Sequence, residues 1–439
     1  MEKADRGRIR RIPVLLHLVA TLVAMAERFD ADEPDVGLGE QVAWRLLAPK
    51  YWIHRRVETV RFLDEDTLRR NVSVDCDVQW RGEGPALLPL ARIQKQPMTS
   101  FDLRDDAGRS LPILTSRENG FVAWSALVAA AAAALEDDVP SSIVASLRTV
   151  AFWRPVPGVS IEDQVRDASG DAEARAALFA RPAFRGLVES LANGFLLVTP
   201  VTDVAEGAQR RVFKYAYSEP LARKRRPTVK QSLGFRPFGV EFDVPLIGDA
   251  QGYHVECEVP GDVQISDATL RTIGGEGDME VTAPGRGDRV HLFASDADAV
   301  AFGQASVRIL PAPEGMLRAT RLSVAVIFAS LVAGMVFGGA IERSSDAAAA
   351  TLLLVPGLLI AIVSKPGEHR LASMVLRGLR WCVAVAAGSS YVAAGAIALS
   401  VEGTALRLTF AGLAFVCALC LAAVSVAVRA AQQPSPSAA

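Results

Sequence analysis

Leu322–Ile341 reads LSVAVIFASLVAGMVFGGAI, a run of helix-forming and apolar residues without a Lys, Arg, Asp or Glu. A bilayer hydrocarbon core about 30 Å thick is crossed by roughly 20 such residues in helical form, so this stretch by itself predicts a membrane-spanning helix. Three more stretches, Ala347–Val363, Trp381–Val401 and Leu408–Val428, are equally free of charge. Four spans in the last quarter of a 439-residue chain predict a four-helix transmembrane domain over 316–430, with a disordered tail over 431–439.

The loops between the spans set the orientation. The second loop carries Lys365, Arg370, Arg377 and Arg380 against Glu368 alone. The first holds Glu342, Arg343 and Asp346, and the third only Glu402 and Arg407. Basic residues in short loops stay on the cytoplasmic side. The second loop is therefore expected in the cytoplasm, and with it the N-terminal region and the C-terminus of a multi-pass protein of the plasma membrane. One segment competes with that orientation. Arg6, Arg8, Arg10 and Arg11 precede the apolar run Val14–Ala26, the shape of a secretory signal. His17 and Thr21 interrupt the run and form, with Arg28, a polar stripe on one helix face, and export would put the Lys365–Arg380 cluster outside. An amphipathic helix is the reading carried forward, with a signal peptide as its alternative and a short fifth span as a third.

Lys and Arg number 47 against 49 Asp and Glu, a net charge of −2, which supplies no whole-chain argument for nucleic acid. The excess of Arg over Lys and the abundance of Ala suit a GC-rich bacterial genome. Only Cys76 and Cys257 fall outside the apolar spans, so neither a disulfide framework nor a thiol metal site is expected.

Strict alternation marks the soluble strands. Val72–Val78, Phe238–Val244 and Tyr253–Val259 each switch between apolar and polar residues, the period-two pattern of half-buried strands. Arg56–Val78 reads as a hairpin around Asp64-Glu65-Asp66, and a second hairpin is expected where Phe101–Leu103 and Leu111–Leu114 flank a turn. Strands are also expected at Phe195–Val201, Arg211–Tyr217, Val290–Phe293 and Ala305–Leu310. Ser116–Leu135 reads as a buried soluble helix with Ser116 as its N-cap, and Asp171–Leu191 as a second helix. The expected fold class is α+β: a β-rich, antiparallel, sandwich-like cytoplasmic region with a helical insert, then the four-helix bundle. The expected units are 1–115 (an N-terminal helix and first β-rich region), 116–194 (helical insert), 195–315 (second β-rich region) and the membrane domain. Pro311 and Pro313 leave a short connection to the first span, so the last strands are expected close to the bilayer.

Signatures of chemistry are few. The sequence contains no phosphate-binding Walker loop, no Gly-x-Ser-x-Gly elbow and no Gly-x-Gly-x-x-Gly after a strand. Its five histidines, His17, His54, His254, His291 and His369, lack metal-ligand spacing. Asp102, Asp105 and Asp106, like Asp30, Asp32 and Asp35, do not follow the calcium-loop pattern and read as turn and cap residues. No catalytic residue, cofactor or metal is expected. The densest positive stretch is Arg210, Arg211 and Lys214 followed by Arg223, Lys224, Arg225, Arg226 and Lys230. Its candidate roles are docking to anionic lipid headgroups, at about 1 kcal/mol per basic residue, or to an acidic protein partner. Nucleic acid is disfavoured for want of a stacking platform or recognition helix. Gly334 and Gly338 form a Gly-x-x-x-Gly face for helix packing, within the bundle or in a homo-oligomer. The four spans carry no Lys, Arg, His, Asp or Glu, which argues against ion-coupled transport. The leading functional expectation is a membrane-anchored scaffold or sensor acting on protein or lipid. A channel or membrane-permeabilising effector gated by the soluble region is the alternative, and a cryptic enzyme the third.

Overall fold

The computed structural model describes residues 33–79, 85–95, 98–153, 171–202, 207–221, 226–273, 280–285, 287–295, 302–339 and 369–432. The N-terminal run Val14–Ala26, the span Ala347–Val363 and the tail over 433–439 lie outside them.

In chain order the elements are α1 (Val36–Leu47), β1 (Ile53–Phe62), β2 (Thr67–Val78), β3 (Ala86–Gln94), β4 (Thr99–Arg104), α2 (Ser116–Leu135) and α3 (Ser141–Ala151). Then follow α4 (Ala172–Phe179), α5 (Pro182–Asn193), β5 (Gly194–Val201), β6 (Gln209–Pro220), α6 (Val229–Ser232), β7 (Phe238–Val244), β8 (Gly252–Glu258), β9 (Val263–Ile273), β10 (Glu280–Pro284), β11 (Arg289–Ser295) and β12 (Phe302–Pro311). The last helices are α7 (Met316–Val336), α8 (Arg370–Val375), α9 (Arg377–Ala398) and α10 (Gly403–Gln432). The fold is α+β, with its sheets in the first two-thirds of the chain.

A six-stranded sheet runs β11-β8-β1-β2-β6-β4, a four-stranded sheet β10-β9-β12-β7, and β3 and β5 form a two-stranded ribbon. Val60, Val72 and Val255 from the first sheet, Phe242 and Val307 from the second and Leu88 from the ribbon share one hydrophobic core. The ladders are antiparallel except β1–β8, which is parallel. The expected β1–β2 hairpin forms around the acidic turn, with Phe62 opposite Leu68.

The second expected hairpin does not form. Only a bridge joins Arg104 to Ser110, and Pro112, lacking an N–H, cannot extend a ladder. β4 pairs with β6 instead. The helix expected over 171–191 is two helices, because Pro182 occupies the first turn of α5 and Arg181 before it is extended.

The ribbon separates two cores. Leu88, Leu90 and Ile93 of β3 face the sheets, whereas Leu87, with Leu196 and Val198 of β5, packs under a layer made of α1, α2, α3, α4 and α5. α2 lies inside that layer. Its cap is Thr115, not Ser116: Glu118 N donates to Thr115 Oγ1 at 3.3 Å and Thr115 N to Glu118 Oε2 at 2.6 Å, the reciprocal capping box. Four described helices are long and apolar enough to cross a membrane: α2, α7, α9 and α10. In α2, 72% of the apolar window is buried within the protein, against 22% in α10. The apolar surface of α10 is left for another apolar medium to cover. Leu322, Val336, Tyr391, Val392, Leu408, Phe415 and Leu419 are among the exposed side chains of α7, α9 and α10, as expected of helices bathed in lipid.

Candidate functional site

The sheets do not end where the membrane helices begin. Leu371, Ala372, Val375 and Leu376 of the α8 segment, Leu379 and Val383 of α9, and Val424 and Ala427 of α10 belong to the same hydrophobic core as the strands. Polar contacts close the seam. His369 caps α8, its Nδ1 accepting from Leu371 N at 3.2 Å while its Nε2 donates to Phe62 O of β1 at 2.6 Å. Gln264 Nε2 of β9 donates to Ala431 O at the end of α10 (2.8 Å).

The single-turn helix α6 is wedged into this seam. Thr228 N donates to Gln231 Oε1 at 2.9 Å, and Gln231 Nε2 to Pro237 O at 3.1 Å, which folds the loop back on itself. Gly234, with φ of +77°, turns the chain beside Pro311 and Ala427. Gly378 lies directly on the Ser232 carbonyl. Val229 at the start of α6 is 74% exposed. Around it, Arg226, Lys230, Arg318, Arg321, Arg370 and Arg377 are all exposed on elements that meet at the seam, and Trp381 stands exposed on the second turn of α9.

The eight basic residues read from the sequence are therefore divided in space. Arg226 and Lys230 lie at the seam, and Arg223, Lys224 and Arg225 fall outside the described residues. Arg210 sits ten residues up β6 from Pro220, about 33 Å at roughly 3.3 Å per residue, and Pro220 pairs with Thr67 at the seam end. There Arg210 makes a two-pronged bond to Asp75 (2.8 and 2.7 Å), which holds the Asp75 carboxyl below its ordinary pKa. Arg211 donates to Gln209 Oε1, and Lys214 is exposed on β6 between the two ends. Gly334 of α7 abuts the Phe410 ring of α10, and a Cβ built on Gly338 would lie 3.5 Å from the Arg407 side chain.

A second constellation, not anticipated from the sequence, fills the core between the sheets. Arg70 donates to Glu58 and Glu219 and, through Nη2, to Asp243 O at 2.7 Å; Tyr253 donates to the other oxygen of Glu58. Arg56 bonds Tyr215 Oη at 2.9 Å and Leu90 O at 2.8 Å. Burial alone lowers the pKa of Arg70, yet the carboxylates of Glu58 and Glu219 outweigh it and raise that pKa well above normal. Burial pushes the Tyr215 hydroxyl up to about 12. These groups are fixed as ion pairs and neutral phenols, a structural network with no titratable nucleophile near neutral pH.

The fold also pairs two histidines. His254 of β8 and His291 of β11 share a hydrogen bond, Nδ1 to Nε2, at 2.9 Å beside Phe293, while His54 contacts Asp77 at 2.8 Å. Among the described residues no group of three or more His, Cys, Asp or Glu is placed to hold a metal ion. No protein-family model matches the chain, and no curated protein matches it either.

Proposed function

We propose that this is an integral protein of the plasma membrane whose β-rich region rests on the cytoplasmic face and works as a scaffold or sensor through contacts with anionic lipid and protein. The observation that carries this reading is the shared core at the seam. A simple tether needs no buried contact with its cargo, whereas here strand and helix ends pack as one unit, so the soluble region has a fixed height and tilt relative to the bilayer. That placement sets α6 at headgroup level. Val229 is positioned to enter the interface, flanked by Arg226 and Lys230, with Trp381 as an interfacial aromatic anchor.

The helix ends support the orientation read from the loop charges. The start of α7, the start of α9 and the end of α10 meet the sheets, while Gly338 and Arg407 meet at the opposite end of the bundle. An anchor is favoured over a pore because α7, α9 and α10 meet at an apolar centre that includes Val324, Leu331, Ala393, Ile397 and Phe410.

Hydrogen exchange on the whole protein in nanodiscs tests the lipid contact. Residues 226–236 are expected to exchange more slowly in discs containing phosphatidylglycerol than in phosphatidylcholine alone. Arg226→Gln with Lys230→Gln is expected to erase the difference. Equal exchange in both lipids for the unaltered protein would overturn the lipid part of the proposal.

A further inference from the structure

Away from the seam, a cavity of about 410 Å³ opens between the helical layer and the sheets. Its walls are Leu46 of α1, Leu187 and Ser190 of α5, Arg92 of β3, and Leu246 and Phe302 beside the four-stranded sheet. The volume falls in the range of small-molecule sites and corresponds to roughly 14 waters at about 30 Å³ each. Arg92 is partnered by Asp249, which contacts Nη2. Asp249 lies close to the start of β1, where Gln251 N donates to Ile53 O. Phe62, at the seam, is the other end of that strand, about 30 Å away at roughly 3.3 Å per residue. The cavity therefore lies far from the seam with the apolar helices.

A guanidinium has five N–H donors. Asp249 takes one, and among the described residues no other partner for the Arg92 side chain exists. Its side chain is only 15% exposed, so the remaining donors are held in a partly desolvated cleft where a carboxylate bonds most strongly. Glu189, the acidic residue on the rim, stands near Arg185 at 3.9 Å. Leu46, Leu187, Leu246 and Phe302 supply apolar wall, beside the polar Gln94, Ser190 and Asn193. We infer that this cavity binds a small organic carboxylate with an apolar body, its acid group on Arg92 and its body against Leu46, Leu187, Leu246 and Phe302. The inference is independent of lipid docking at α6. It gives the soluble region an input site at the interface of its two cores.

The test uses the full-length protein in phosphatidylcholine nanodiscs, with empty discs as the blank, and ligand-detected NMR titration. Benzoate, phenylacetate and hexanoate are compared with benzyl alcohol and benzylamine. The acids are expected to bind about tenfold or more tightly than the alcohol and amine, the discrimination that a charged hydrogen bond confers. Arg92→Met is expected to bring the acids down to the level of the alcohol. Ser190→Phe, which fills the cavity and leaves the Arg92–Asp249 pair intact, is expected to abolish binding of all five. Absence of acid binding, equal binding of acid and alcohol, or unchanged binding in Ser190→Phe would each overturn the assignment.

Discussion

Gly378 and Ser232 touch backbone to backbone: a Cβ built on Gly378 would lie 2.5 Å from the Ser232 carbonyl oxygen. This contact joins α6 to the first turn of α9 and leaves no room for a methyl group. Gly378→Ala is therefore expected to lift α6 from the helix, at about 1–3 kcal/mol for a forced overpacking, and to speed tryptic cleavage after Lys230, exposed on α6. Gly388, ten residues further along α9, has nothing within 4 Å of its Cβ position. Gly388→Ala should leave both the melting temperature and the cleavage rate unchanged, and a matching loss in the two variants would count against the wedge.

The buried network between the sheets makes a sharp energetic prediction. Glu58 accepts from Arg70 and Tyr253 with all three groups out of solvent. Breaking one partner of a buried pair leaves an uncompensated charge and costs about 3–5 kcal/mol, so Glu58→Gln should lower the unfolding free energy by that order. Asp102→Asn removes the carboxylate of the exposed pair with Arg104 and should cost no more than about 1 kcal/mol. Thermal melts in one detergent separate the two cases.

In the bundle, Gly334 meets the Phe410 ring so closely that a Cβ would sit 2.3 Å from Cε1. Gly334→Leu is expected to cost about 1–3 kcal/mol. Because Phe410→Ala removes the atoms in the way, the double variant should be more stable than the sum of the single effects predicts, a coupling that a double-mutant cycle measures directly. Additive losses would mean that the helices separate instead of repacking.

Those three contacts differ in how much of them the sequence reveals. β2, β7 and β8 alternate because one face meets the core and the other does not, so their pattern is readable. β3 is buried on both faces as the ribbon between two cores, and its continuous apolar run carries no period. β9 loses its alternation at a bulge, where Arg308 pairs with Asp267 but Ile309 with Ile265. The basic stretch is continuous along the chain and divided in space, because a 12-residue strand runs through it. The histidine pair and the Arg92 cavity depend on register and on layers meeting, which no local spacing encodes. His254 and His291 are 37 positions apart, brought together only by the β8–β11 ladder.

The orientation has its own test. A reporter fused after Ala439 should read cytoplasmic, and one inserted between Ser344 and Ala347 should read external. Both positions lie outside the described residues, so the prediction stands on the loop charges and on the helix ends that meet the sheets. The opposite result at both would invert the protein and remove the cytoplasmic leaflet as partner of Arg226 and Lys230.

The His254 pKa is lowered from 6.5, first by burial and then by the charges of His291 and Arg55, against a smaller opposing pull from Glu256. The folded state therefore binds a proton at His254 less readily than the unfolded chain does. Its contribution to stability is fully present above pH 6.5 and is lost as pH falls through the window between 6.5 and the lower folded value. Only one proton can lie between the two ring nitrogens 2.9 Å apart, so protonating both rings sets two cations against each other. His254→Phe, which keeps an aromatic ring beside Phe293, is expected to flatten the fall in melting temperature between pH 6.5 and 5 while leaving the value at pH 8 nearly unchanged. A parallel fall in variant and unaltered protein would locate the acid sensitivity elsewhere, with the Asp75–Arg210 pair the next group to vary.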